Sequence, residues 1–309
     1  VTLRELDRLF LRASRDLDAR QRARIKQLRG LDRALFEELV RRIVDVIGTE
    51  DGKVKSTKGS ASINRMIDLA FGVVERSQLS EFKRSALGDL SALMKHGQDY
   101  FEAGTSKRLN EVTARVNRTM RRRLGLDPDT GKPVQGGQFD RFFDNEPMRT
   151  EVKQVVSRGI TAKIPMAKML KQLEVAVTGT PESPGIFSKA LQNLVLDVYQ
   201  QTDRAVSKEY ATRLKLDTFI YAGGLIETSR EFCKKRNNQV FTEEEAAKWV
   251  NDSTLPRTKK EKDSGVITGY DPLVDLGRFH CRHRTRYISR ELAKELRPDL
   301  PDSGIRKDR

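Results

Sequence analysis

Across the first 47 residues the apolar side chains recur at three- and four-residue steps or their sums, a spacing that commits the region to helix. Leu3, Leu6, Phe10, Leu17, Ile25, Leu28, Leu35, Leu39, Ile43 and Ile47 form the stripe, with Arg, Asp and Glu between them. Gly30 is expected to break or bend this arm, and Gly48 lies where it should end. Residues 49–62 turn to Gly, Lys, Ser, Thr and Asp, which is loop composition. Helical spacing resumes from Ile63 to Phe101. A chain with 33% charged and 6% aromatic residues suits long solvated helices better than a thick sandwich.

Ser106 to Leu124 reads as a separate and very basic helix. It carries Lys107, Arg108, Arg115, Arg118, Arg121, Arg122 and Arg123 against Glu111 alone. Cations in a last turn favour the helix dipole, but this many exceed what capping needs, so phosphate contact is expected. The net charge of +15 points the same way, towards a polyanion, with an acidic protein surface as the other reading. No stretch approaches the roughly 18 apolar residues of a spanning helix, so no membrane partner is expected. The charged opening lacks an apolar signal core, so no secretion signal is expected. Two cysteines make no disulfide scaffold, which implies folding in a reducing cytoplasm.

Residues 125–138 are dense in turn residues and form the clearest boundary. Helices are expected at about 139–158 and 163–177, then a Pro/Gly/Ser loop at 179–185. A long helix follows, with Phe187, Leu191, Leu194, Val198, Val206, Tyr210 and Leu214 as its buried stripe. After Leu216 the pattern changes. Strands are expected at 218–222, 239–241 and 279–288, short helices at 231–237 and from Thr242, and a final helix from Ser289 through Leu296. Residues 253–275 read as loop. The fold class is therefore mainly α, long helices with a small C-terminal α+β module. The divisions are 1–125, a basic N-terminal helical region, 139–216, a helical body, and 217–309, the module.

Three histidines and two cysteines are present, and Cys233, His280, Cys281 and His283 all fall in the module. In an extended segment Cys281 and His283 share a face, and Cys233 can approach from across the loop. Zinc accepts thiolate and imidazole ligands, and His280 would be the fourth only on an irregular backbone. A metal-free Cys–His packing cluster and a Cys233–Cys281 disulfide are the other readings. Arg230 and Arg282 are expected to pair with a carboxylate such as Glu227. Trp249 reads as a core or interface anchor.

These same residues carry a resemblance. Tyr221-Ala222-Gly223-Gly224-Leu225 with Ser229-Arg230-Glu231-Phe232-Cys233 is similar to a Y-x-G-x-L-D then T-R-x-x-C pattern. Val240-Phe241-Thr242-Glu243-Glu244-Glu245 is similar to V-[FY]-T-x-E-E, and Gly277-Arg278-Phe279-His280-Cys281-Arg282-His283 to G-G-[FY]-[NH]-C-R-H. In order and approximate spacing these blocks resemble the phage Mu F-like minor head protein (head morphogenesis) family over roughly residues 139–290. The chain departs from the pattern at Ile226, where the family has Asp, and at Arg278, where it has a second Gly.

The resemblance implies a non-enzymatic, low-copy bacteriophage head protein, assembled in the host bacterial cytoplasm and located in the virion. Its implied partners are portal and head proteins, with packaged genomic DNA as a further partner through the basic helix, and self-association in the virion. A metal-dependent nuclease or a thiol enzyme carried in the virion is the rival reading. It would use Cys233, Cys281 and His283, with Asp271 and Asp275 as the nearest carboxylates in sequence.

Overall fold

Helix α1 (Leu3–Ile43) runs 41 residues without a break and realises the opening stripe. It passes straight through Gly30, so the expected break is absent. An exposed glycine costs a helix about 1 kcal/mol relative to alanine, and burial of Leu28, Leu31 and Leu35 around it outweighs that cost. The structure, a computed structural model, describes residues 2–56 and 59–300. Thr57 and Lys58 of the expected 49–62 loop, and residues 301–309 of the expected module, lie outside the described residues.

The 49–62 segment is not plain loop. Strands β1 (Ile47–Glu50) and β2 (Lys53–Ser56) pair antiparallel, joined by Asp51-Gly52 with φ of 52° and 73°. Two consecutive left-handed residues make the tight turn that matches strand twist, and Asp-Gly is the dipeptide that favours it. Helices α2 (Ser60–Val74) and α3 (Ser80–Thr105) follow, linked by a π-helical turn at Glu75–Leu79. Then come the basic helix α4 (Asn110–Arg123), the short α5 (Gln138–Arg141), α6 (Glu146–Thr161) and α7 (Met166–Thr178). The expected long helix after residue 185 is α8 (Ile186–Asn193), a π-helical turn at Leu194–Val198, and α9 (Tyr199–Arg213).

Beyond α9, the three-stranded antiparallel sheet has the order β4–β3–β5, from β3 (Thr218–Ala222), β4 (Val240–Thr242) and β5 (Arg284–Ile288). Between them lie α10 (Glu231–Arg236), α11 (Glu243–Ala247) and α12 (Lys259–Ser264), and α13 (Arg290–Leu296) follows β5. Helix content is 64% and strand content 8%, so the chain is mainly helical with a small sheet module near its C-terminus. Thr242 caps α11 through a reciprocal bond with Glu245, and Ser289 caps α13. Helix α12 lies inside the expected 253–275 loop. Its signature is the same capping box, Thr258 with Glu261, ending at left-handed Gly265. The expected strand from Phe279 begins only at Arg284, because Arg278 and His280 take left-handed φ of 61° and 52° that no strand accommodates.

The chain divides into two compact units that interleave in sequence rather than following the expected 1–125, 139–216 and 217–309 divisions. One comprises Val1–Leu17, Ser91–Arg122 and Asp197–Arg309, the other Asp18–Leu90 and Arg123–Leu196. Long helices are the physical reason: α1 and α3 each supply residues to both. In the first unit the sheet packs on α3, α4 and α9. Phe219, Tyr221, Phe232, Trp249 and Tyr287 share a core with Phe101, Val116, Met120, Val206 and Tyr210. Trp249 sits at the centre of four aromatic rings and is a core anchor.

In the second unit, Asp32 is buried on α1 and receives the first turn of α8. Phe187 N–H donates to Oδ1 at 2.6 Å and the Ser188 hydroxyl to Oδ2 at 2.5 Å. Burial pushes the carboxyl up to about 6, against the opposing pull of these hydrogen bonds. Because that lies above the ordinary 3.8, its support is fullest below about pH 4 and declines as pH rises through 6. Asp32→Asn should remove this decline, measured as urea midpoint against pH from 4 to 7. Asp32→Ala should lower stability by about 1–2 kcal/mol at any of these pH values.

Candidate functional site

The end of β3, the first turn of α10 and the segment leading into β5 meet at one point. β3 is the central strand and all five of its residues are buried, so Tyr221 projects into the core rather than to solvent. α10 presents Cys233 from the same side as its buried neighbour Phe232. Residues 275–283 then coil rather than extend. Leu276, Arg278 and His280 alternate as left-handed residues, at φ of 48°, 61° and 52°. Each such residue without a glycine costs on the order of 1 kcal/mol or more.

The surroundings hold that strain in place. Arg278 makes a two-pronged pair with Glu261 at 2.7 and 2.8 Å and also donates to the Pro256 carbonyl. The Glu261 carboxyl is held down to about 2 by this guanidinium and by the Thr258 backbone N–H. Asp197 accepts the His280 N–H at 2.7 Å, and Tyr270 Oη donates to the Leu276 carbonyl at 2.8 Å.

The result is a compact polar cluster inside an apolar core. Cys233 Sγ and Cys281 Sγ are 4.0 Å apart, and His283 Nδ1 is 3.8 Å from Cys281 Sγ. Tyr221 Oη lies 3.4 Å from Cys233 Sγ and 3.7 Å from Cys281 Sγ, while its ring stacks on His283 with centroids 4.8 Å apart. All four residues are buried, and both cysteines are free. Two glycines make the approach possible. A Cβ on Gly277 would stand 2.6 Å from Cys233 Sγ, and one on Gly223 would stand 2.8 Å from His283 Cδ2.

The two sulfurs do not behave alike. The Cys233 thiol hydrogen-bonded to Cys281 draws the Cys281 thiol well below its usual range against the effect of burial, with Arg204 and His283 helping. The same bond, burial and the charge on Cys281 push Cys233 up. Burial and the adjacent sulfurs raise Tyr221 too.

Of the residues singled out in the sequence, Cys233, Cys281 and His283 come together, and His280 does not. It is exposed, with Nδ1 3.6 Å from an Asp197 carboxylate oxygen, because its left-handed φ turns it away. The expected pairing of Arg230 or Arg282 with Glu227 is also absent. Arg230 donates to the Gly277 carbonyl at 3.0 Å, while Arg282 and Glu227 are exposed and form no ion pair among the described residues. Asp271 and Asp275 hold their own turn and bind Lys208 and Gln201, outside the cluster.

Three arginines are buried among the described residues, Arg204, Arg236 and Arg284, and two of them, Arg204 and Arg284, brace this site. Arg204 on α9, 2% exposed, donates to the carbonyls of His283 at 2.8 Å, Val274 at 3.0 Å and Cys281. Arg284 forms a two-pronged pair with Asp203 and donates to Ser14 Oγ. Both sit on segments whose partners lie 70 or more positions away, so no local pattern announces them. Tyr221 was read only as part of a motif; its last-but-one place in an all-buried strand was the available signal.

Helix α4 begins at Asn110, four residues later than expected, so Lys107 and Arg108 precede it rather than lie on it. Val116 and Met120 are buried, while Lys107, Arg108, Arg115, Arg118, Arg122 and Arg123 are exposed and Arg121 is half-buried. Arg115, Arg118 and Arg122 share one outward face at helical spacing. No protein-family model matches the chain, and no curated protein or solved structure is significantly similar to it.

Arg204→Met should cost at least about 3 kcal/mol, because it strips the donor from three buried carbonyls. Arg282→Met should stay within about 0.5 kcal/mol, as an exposed site does. Guanidinium denaturation of the two variants beside the parent reads the difference; equal losses would show that the arginine roles are misassigned.

Proposed function

We propose that this chain is a low-copy structural protein of a bacteriophage head, similar to the Mu F-like minor head proteins, that binds portal or shell protein and packaged DNA and catalyses no reaction. The observation that carries the reading is convergence. The three blocks that resemble that family, around Tyr221 to Cys233, Val240 to Glu245 and Gly277 to His283, are separated in sequence. They nevertheless meet in one module: the first two supply residues of the paired strands β3 and β4, and the first and third supply the buried cluster.

DNA contact rests on electrostatics. The outward face of α4 offers Arg115, Arg118 and Arg122, and no base-reading geometry is required of it. α1 offers a second stripe in the other unit. Arg22, Lys26, Arg29 and Arg33 are exposed at steps of four, three and four, and form no ion pair among the described residues.

Two measurements test this. Purified, nuclease-treated particles of the phage or prophage that encodes the chain should contain it at a few copies, retained with the portal. Its absence from the particle would overturn the head assignment. Separately, duplex DNA affinity should fall steeply between low and physiological salt. Replacing Arg115, Arg122 and Arg123 with Gln should shallow the log–log salt slope by about 2–3. An affinity indifferent to salt would end the electrostatic mechanism while leaving the head assignment standing.

A further inference from the structure

Among the described residues, Cys233, Cys281 and His283 are the one group of His, Cys, Asp or Glu side chains spaced to hold a metal ion. Their environment is unusual for a cluster left to itself. Buried polar atoms normally find strong partners. Among the described residues the Tyr221 hydroxyl meets only two sulfurs, and sulfur is a weak partner. Apolar packing alone would be better served by four hydrophobic residues.

A tetrahedral zinc ion, with bonds of about 2.3 Å to sulfur and about 2.0 Å to nitrogen or oxygen, sets the edges between its ligands. Sulfur–sulfur edges are about 3.8 Å, and sulfur–nitrogen or sulfur–oxygen edges about 3.5 Å. The cluster measures 4.0 Å between sulfurs and 3.8 Å from Cys281 Sγ to His283 Nδ1. From the Tyr221 oxygen to the sulfurs it measures 3.4 and 3.7 Å. Of the two further edges, Cys233–His283 is no longer than 4.8 Å, so closing it needs a shift of about 1 Å, and the Tyr221–His283 edge is set by the stacking of the two rings, 4.8 Å between centroids.

We propose that Cys233, Cys281, His283 and Tyr221 form a closed structural zinc site, with the Tyr221 phenolic oxygen in the fourth position. The ion displaces the two thiol protons, and its double charge balances the two thiolates. The donor set, two sulfurs with one nitrogen and one oxygen, suits zinc better than magnesium or calcium, which prefer oxygen alone. With every vertex filled by protein in a buried site, the ion holds β3, α10 and the segment before β5 together and leaves no position for substrate. The two glycines fit this role, since neither the Gly277 nor the Gly223 position has room for a side chain beside the ligands.

The test uses the full chain expressed in zinc-supplemented medium, desalted, and assayed by elemental mass spectrometry with circular dichroism as a check on folding. One zinc per chain is expected for the parent and for His280→Ala, and less than a tenth of one for Cys233→Ser and Cys281→Ser. Tyr221→Phe preserves the ring and its stacking, so it should keep the fold. It should lose zinc to a competing chelator at least ten-fold more readily, and its cobalt-substituted visible spectrum should change. A folded parent that is free of zinc, or one carrying a Cys233–Cys281 disulfide, overturns the site. Cobalt spectra and chelator competition identical between parent and Tyr221→Phe overturn the tyrosine as fourth ligand.

Discussion

One buried guanidinium holds the arrangement of the C-terminal module. Arg204 lies within α9 and spends its donors on the carbonyls of Val274, Cys281 and His283. Burying a charge is expensive unless strong hydrogen bonds replace its water. Here the replacement is complete enough that the side chain is 2% exposed. The next pair in register reverses the direction: Arg284 returns a two-pronged bond to Asp203. Two adjacent residues on the helix are thus locked to two adjacent residues at the start of β5, each pair supplying one arginine. Cys281 and His283 cannot drift from α9 without breaking a charge-assisted bond.

That lock explains how the segment from Leu276 to His280 survives its backbone. Three left-handed residues in five would not persist in a free loop. They are bracketed by Arg204 on one side and by the Arg278–Glu261 pair on the other, and Glu261 also closes the capping box of α12 with Thr258. The strained coil does two things an extended strand could not. It turns His280 outwards, and it brings Gly277 against both sulfurs where only a hydrogen fits. Position in the fold, not residue type, decides which histidine joins the cluster.

These same features mark how far the sequence could be read. The long helices were legible because burial leaves a three-and-four spacing, and the stripe on α1 is buried at Leu6, Leu17, Leu28, Leu35, Leu39 and Ile43. Cys233, Cys281 and His283 were legible because both cysteines and two of the three histidines fall in one region. Two local signals were present and passed over: the Asp51-Gly52 turn that makes a hairpin, and the Thr258–Glu261 capping box of α12. His280 stays out of the cluster even on an irregular backbone, because its left-handed φ turns it to solvent, and spacing does not show that. Arg230 reaches the Gly277 carbonyl, 47 residues away, rather than Glu227. Arg204 and Tyr221 depend on contacts 60 or more residues distant, which no spacing rule reports.

Burial also bears on the choice between a binding protein and a thiol enzyme. A nucleophilic cysteine needs its thiolate, a neighbouring base and a path for substrate. Cys281 has the first two, in its lowered proton affinity and in His283 beside it. It lacks the third: Cys233 and Cys281 are each 4% exposed, and Tyr221 lies across both sulfurs with its ring on His283. Opening that path would pull Tyr221 out of the central strand and undo the core around Trp249. The accessible chemistry of this chain is instead the cationic surface of α1 and α4, where side chains reach solvent from helices rigid enough to fix their spacing. Charge presented at that spacing is what the proposed contact with a polyanion would use.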